Sequence, residues 1–256
     1  MSGLTYELQA SAYRRLIEIG IALSADKNLD SLLEHILLEA KSMANADAGT
    51  IYLCTSNDSL KFRIMLIDSL NIAQGGLSGK PVTFPEIPLL CENAEPNLSN
   101  IATKVVHCGS TVVVDEVMGS SQFDFDATRA FDEMLSYRSR SFLTIPLKGM
   151  ADNCLGVLQL INAQDDQGDF VPFSRDIIPL IEALASQASV AMENRSLLDQ
   201  QETLKKQREH EVDQRTEELK DALTRLSEAH IVLKELNTID AVTGIRNRHY
   251  FDEALG

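Results

Sequence analysis

The sequence predicts an α+β domain built on one antiparallel sheet, followed by a long C-terminal coiled-coil helix. Three observations carry this. Between residues 48 and 163, β-rich apolar runs recur with helical stretches among them. The last two runs, 141–147 and 154–163, flank "KGMADN" as the arms of a hairpin. From 173 to 240 there is no Gly and a single Pro, Pro179, so nothing past the first turns interrupts a helix.

The elements follow in order. A lead helix spans roughly 5–24, with an apolar face of Tyr13, Leu16, Ile17, Ile21 and Leu23 at helical spacing, and residues 1–24 read as a dimerisation helix. The domain core spans 25–172. It opens with "NLDSLLEHILLEAKSMANA", an amphipathic helix with Asn28 or Asp30 as N-cap. Strands follow at 48–54, 60–67, 111–115, 141–147 and 154–163. The excursion "QGGLSGKPVTFPEIPLLCENAEPN" is too long for a simple connection and is expected to hold one short edge strand at "PVTF". Helices are expected at "NLSNIATKVVHCG" and "DATRAFDEMLSYR".

In the long helix, 173–239, Val212, Leu219, Leu226 and Leu233 recur every seven residues, and Thr216, Leu223, His230 and Asn237 fall four positions on. This is the seam of a two-stranded coiled coil with polar core positions. An upstream seam through Leu184, Ala188, Ala191 and Leu198 is out of register with it. Leu204 falls one position off, which implies a stutter near 201–208. A parallel homodimer is expected, because a single helix would leave its row of leucines wet.

Composition narrows the function. A net charge of −15 repels nucleic-acid phosphate and anionic lipid, so neither a nucleic acid nor a membrane is an expected partner. No apolar run approaches the ~20 residues of a membrane span, and "MSGLTYELQA" is not a signal peptide, so a cytoplasmic location is expected. Cys54, Cys91, Cys108 and Cys154 have no metal spacing, and Cys54 and Cys154 read as buried free thiols.

Two stretches resemble known families. "SFLTIPLKGMADNCLGVLQLINA" followed by "FSRDIIPLIEALASQASVAMEN" resembles the C-terminal half of a GAF domain. "FDFDATRAFDEMLSYRSRS" fits the segment that ends in "GYRS" there, with Ser136 in place of Gly. The resemblance implies a six-stranded antiparallel sheet flanked by helices and a regulatory role. Members bind cyclic nucleotides, bilins or haem, or no ligand, and commonly dimerise through their first and last helices. At the other end, Asp240, Thr243, Gly244, Asn247, Arg248 and Phe251 resemble the opening motif of a GGDEF diguanylate cyclase domain. That implies a cyclic-di-GMP output, with residues 240–256 the start of a truncated domain. The catalytic elements would lie past residue 256, so this chain is expected to be no enzyme.

The GAF resemblance places a ligand over the sheet, near 97–140. Candidates there are Phe123 and Phe125 to stack a base, Asp126 and Thr128 for its edge, Arg129 for a phosphate, and Asp115, His107 and Tyr137. A cyclic nucleotide, cAMP or cGMP, is the expected ligand. Alternatives are a ligand-free dimerisation platform or a haem or bilin sensor. The cyclic-nucleotide subset carries an N-K-F-D-E pattern. Asn162, Phe173 and Asp176 match it, but Ala163 and Ile177 replace its Lys and Glu.

Overall fold

The structure is a computed structural model that describes residues 28–117, 125–150, 153–240 and 242–255. The expected lead helix, 1–24, lies outside them. The chain forms two compact units, residues 1–196 and 197–256.

The first unit begins with α1 (Leu29–Ala44). Of the two expected caps, Asn28 serves: its side chain accepts from the Asp30 backbone N–H at 2.8 Å. Asn45 ends the helix in the left-handed region, at φ 45°. The inward stripe of Leu32, Leu33, Ile36, Leu37 and Ala40 is fully buried, as the 3.6-residue period requires.

The sheet comprises β1 (Ala46–Cys54), β2 (Ser59–Ile67), β3 (Ile72–Gly75), β4 (Ile87–Pro88), β5 (Val112–Val114), β6 (Phe142–Lys148), β7 (Cys154–Gln164) and β8 (Phe170–Val171). Six strands form the antiparallel path β3-β2-β1-β7-β6-β5, and the two-residue strands β4 and β8 pair off it with β2 and β7. The edge strand expected at 81–84 is absent. Pro81 and Pro85 bracket that stretch and remove the N–H groups a ladder needs, and the short pairing forms instead at Ile87–Pro88. β3, "IAQG", is too short and polar for its sequence to announce it.

Helices α2 (Ile101–Cys108), α3 (Asp126–Leu135) and α4 (Ile178–Asn237) fall where the sequence places them. Strand alternation sorts the core. Ile51, Leu143, Leu158 and Leu160 face α1 and the first turns of α4. Ile161, Phe142 and Ala48 face the other way, with Phe131 and Leu135 of α3, and Tyr52 and Val157 pack with Ala102 and Val105 of α2.

The expected upstream dimer seam is not formed by Leu184, Ala188 and Ala191. Leu184 and Ala188 are 0% exposed and Ala191 is 9%. They pack into their own domain's core. The apolar repeat at the start of the long helix is satisfied by the sheet, so these three do not form a dimer seam.

In the second unit α4 continues to Asn237, and α5 (Arg248–Leu255) follows a turn. Val212, Leu219, Leu223, Leu226 and Leu233 are 57–66% exposed, and Leu198 is 52%. No described helix is long and apolar enough to cross a membrane.

Candidate functional site

A cavity of about 440 Å³ lies in the first unit, over the face of the sheet opposite α1. Its floor is Thr50 and Tyr52 of β1 and Gln159 of β7. Thr50 sits opposite Gln159 in the ladder, so the three side chains project from one patch of sheet. The Tyr52 phenol donates to Gln159 Oε1 at 3.0 Å. Gln159 Nε2 then donates to Thr144 Oγ1 at 3.2 Å. Burial pushes the Tyr52 phenol up, against a smaller lowering by the neighbouring Thr50 hydroxyl, so it stays a neutral donor. The floor is therefore polar, uncharged and held by its own chain of hydrogen bonds.

The walls are aromatic. Phe62, Phe84 and Phe131 run along one side, with centroids 5.3 and 5.1 Å apart, and Tyr52 continues the row at 4.6 Å from Phe62. Pro85, Ile87 and Pro88 close another side, and Met134, 62% exposed, stands at the mouth. Asn100 and Ile101 bring the start of α2 to the cavity. Asn100 Oδ1 already takes the N–H groups of Ala102 and Thr103. Glu86 is the only charged residue among the described lining residues.

Of the sequence candidates whose side chains are described, only Thr128 is among the lining residues. Phe123 lies outside the described residues, and Asp126 is the first residue of α3, its side chain undescribed. Phe125 is buried against Phe142, 6.5 Å between centroids. Arg129 is on the exposed face of α3. Asp115 pairs with Arg175 at 2.6 Å. His107 Nε2 meets the Leu89 carbonyl at 2.7 Å, a structural bond that ties α2 to the preceding loop.

Tyr137 belongs to a buried polar network behind the cavity. Its phenol donates to Asp47 Oδ2 at 2.7 Å and accepts from Asn162 Nδ2 at 2.9 Å. Burial, then the Asp47 carboxylate, push the phenol up and keep it protonated. Asn162 stands at φ 58°; its Oδ1 accepts from the Arg140 N–H and its Nδ2 donates to the Arg138 carbonyl. The network fixes the chain leaving α3 onto the sheet.

Sequence reasoning missed the floor and the aromatic row. The strand period was the available signal: Thr50 and Tyr52 alternate with Gly49 and Ile51, and Gln159 alternates with Leu158 and Leu160. A polar residue facing inward in an otherwise apolar strand marks a site. Phe84 gave no such signal, because it comes from the irregular excursion. Cys54 and Cys154, expected to be buried, are half-buried, and the Cys154 thiol donates to the Gly156 carbonyl at 3.1 Å.

Residues 28–192 match the GAF domain family. The chain belongs to that family. Solved structures agree on the fold. The GAF domain of an Acinetobacter phosphoenolpyruvate-protein phosphotransferase superimposes with a TM-score of 0.53 at 16% identity, over 78% of this chain and 99% of that one. The GAF domain of the Coxiella burnetii phosphoenolpyruvate-protein phosphotransferase gives 0.54 at 14%, over 73% and 96%. Residues 122 to 287 of a methyl-accepting chemotaxis protein give 0.51 at 19%, over 70% and 98%.

Within the GAF frame, Ser136 gains a physical meaning. It caps α3 in the left-handed region at φ 54°, the conformation for which Gly is suited. The GAF match ends at 192, inside α4. In the second unit, the stretch after α4 forms a compact turn. Asp240 Oδ1 accepts from the Val242 N–H at 3.1 Å, and from the Thr243 N–H and hydroxyl at 2.9 Å each. These bonds hold the Asp240 carboxyl below its usual range. Gly244 turns the chain at φ 67°, and Asn247 Oδ1 accepts the Tyr250 N–H to start α5.

Proposed function

We propose that this GAF domain is the sensory input of a signalling protein, in which a small molecule seated in the cavity biases a paired C-terminal helix that drives a diguanylate cyclase domain opening at Asp240. The module itself regulates and does not catalyse. One observation carries the reading. β7 presents Gln159 to the cavity while its neighbours Leu158 and Leu160 pack in the core that holds the first turns of α4. A ligand that shifts Gln159 thus acts on the strand that seats the helix. Downstream, the exposed leucine row of the second unit calls for a partner helix, and a second copy of this chain supplies one in parallel. The hydrogen-bonded turn at Asp240 to Asn247 supports the GGDEF assignment by giving its Asp, Thr, Gly and Asn defined structural roles.

The aromatic row could take the base of the expected cyclic nucleotide, but its phosphate meets no Lys, Arg or His among the described lining residues, so an uncharged heterocycle fits the lining better. The test is a thermal-shift panel of cyclic mono- and dinucleotides and uncharged heterocycles, then cyclase activity of a protein in which this module is joined to the proposed cyclase domain. A ligand at about 100 times its dissociation constant adds about 2.7 kcal/mol. Cyclase activity should respond to that ligand and lose its response when Gln159 is replaced by Leu. A panel with no shift leaves the platform role, and a joined protein that makes no cyclic di-GMP removes the output assignment.

A further inference from the structure

We propose that the cavity selects a flat nitrogen heterocycle that is uncharged or protonated, and rejects anions of the same shape. The inference rests on the reading of the cavity as the ligand site and adds the charge class.

Charge is the first argument. Glu86 is the only charged residue among the described lining residues, and no Lys, Arg or His is among them. The undescribed stretch 118–124, "MGSSQFD", contains no basic residue in its sequence either. A phosphate or carboxylate brought here would lose water and gain no counter-ion, which is the expensive way to bury a charge. The start of α2 offers no substitute, because Asn100 already occupies the Ala102 and Thr103 N–H groups, and the start of α3, which Thr128 brings to the lining, carries Asp126 in its sequence. The net charge of −15 adds a long-range field of the same sign.

Shape and hydrogen bonding supply the rest. The row Phe62, Phe84, Phe131 offers ring faces and edges to a planar molecule. The floor of Thr50, Tyr52 and Gln159 is neutral, and beyond its internal bonds Gln159 keeps one amide N–H and one Oε1 lone pair for a ring nitrogen or amino group. Glu86 accepts the Ser59 hydroxyl at 2.5 Å and places a carboxylate at the cavity, where an N–H or ammonium is the complementary group. The volume, about 440 Å³, lies within the ~300–1,000 Å³ of ordinary small-molecule sites.

The experiment uses probes matched in shape and differing in charge, titrated by calorimetry into the purified chain at neutral pH. Benzimidazole, 2-aminobenzimidazole and benzimidazole-2-carboxylate form one set; adenosine and adenosine 3′,5′-cyclic monophosphate form the other. In each set the anion is expected to bind at least about tenfold more weakly than its uncharged or protonated counterpart. Glu86→Gln should remove the advantage of 2-aminobenzimidazole over benzimidazole and leave benzimidazole itself unchanged. Met134→Trp, which fills the mouth, should abolish binding of all of them. Anions that bind as tightly as their counterparts, and lose binding in Met134→Trp, overturn the charge class while the cavity stays the ligand site. Absence of all binding, or binding indifferent to Met134→Trp, overturns the cavity reading and the inference with it.

Discussion

Replacing Tyr137 by Phe separates a structural role from a ligand role at one atom. The phenol is the donor to Asp47, which is 2% exposed, and the acceptor for Asn162, which is fully buried. A hydrogen bond to a buried charged group is worth about 1.5–3 kcal/mol. Asp47 keeps the Ser69 N–H at 3.0 Å and the Ser69 hydroxyl at 2.8 Å, so the loss falls in the lower half of that range. Asn162 keeps the Arg138 carbonyl, but one of its amide protons is left without a partner, which adds about 1 kcal/mol. The sum is a destabilisation of about 2.5–3.3 kcal/mol. For a domain of this size, at about 2–4 °C per kcal/mol, the melting temperature should fall by about 5–13 °C. Urea unfolding should show the change in midpoint with an unchanged slope. Because Tyr137 does not line the cavity, ligand affinity should change by less than about threefold. A variant within about 0.5 kcal/mol of the parent, or one that keeps its stability but loses ligand binding, refutes the assignment.

Three further outcomes follow from the geometry. Ser136→Gly should stabilise the domain by about 0.5–1 kcal/mol, since Ser136 holds φ 54° against a left-handed penalty of about 1–2 kcal/mol, partly offset by the glycine's unfolded-state entropy; chemical denaturation that shows a loss would mean the cap geometry is different. Leu219→Lys with Leu226→Lys should weaken the dimer by light scattering and leave the melting of the GAF unit unchanged, because both residues are exposed in the second unit. Carboxyl NMR should find Asp132 titrating above the ordinary carboxylate range, since burial outweighs its two Ser139 bonds, and Asp240 below it. The signs oppose: the contribution of Asp132 is fullest below its unfolded pKa and is lost as pH rises through the folded value. That of Asp240 is present above the ordinary range and is lost as pH falls through the depressed value.

Much of the fold was legible because periodicity reports burial. The stripe of α1, the cap at Asn28, the β6–β7 hairpin and the breaker-free α4 all follow from local rules. The same periodicity misled at Leu184, Ala188 and Ala191. A helix stripe states that a face is covered, and it does not state whether a sheet or a second helix covers it. The site was harder to read. Candidates chosen by chemistry within 107–137 were mostly drawn into structural bonds, His107 to Leu89, Asp115 to Arg175 and Tyr137 to Asp47. The lining came from residues distant in sequence, Thr50, Phe84 and Gln159, brought together by strand register and by a proline-rich segment that has no period to read.

The central claim is that the cavity over β1 and β7 is where this domain receives its signal. Ligand-observed NMR with one fragment collection, on the parent chain and on Met134→Trp, tests it most directly. The account predicts fragments that bind the parent and fail to bind the filled variant, while the Leu219→Lys, Leu226→Lys variant binds them as the parent does. The same fragments binding the parent and the filled variant alike would contradict it.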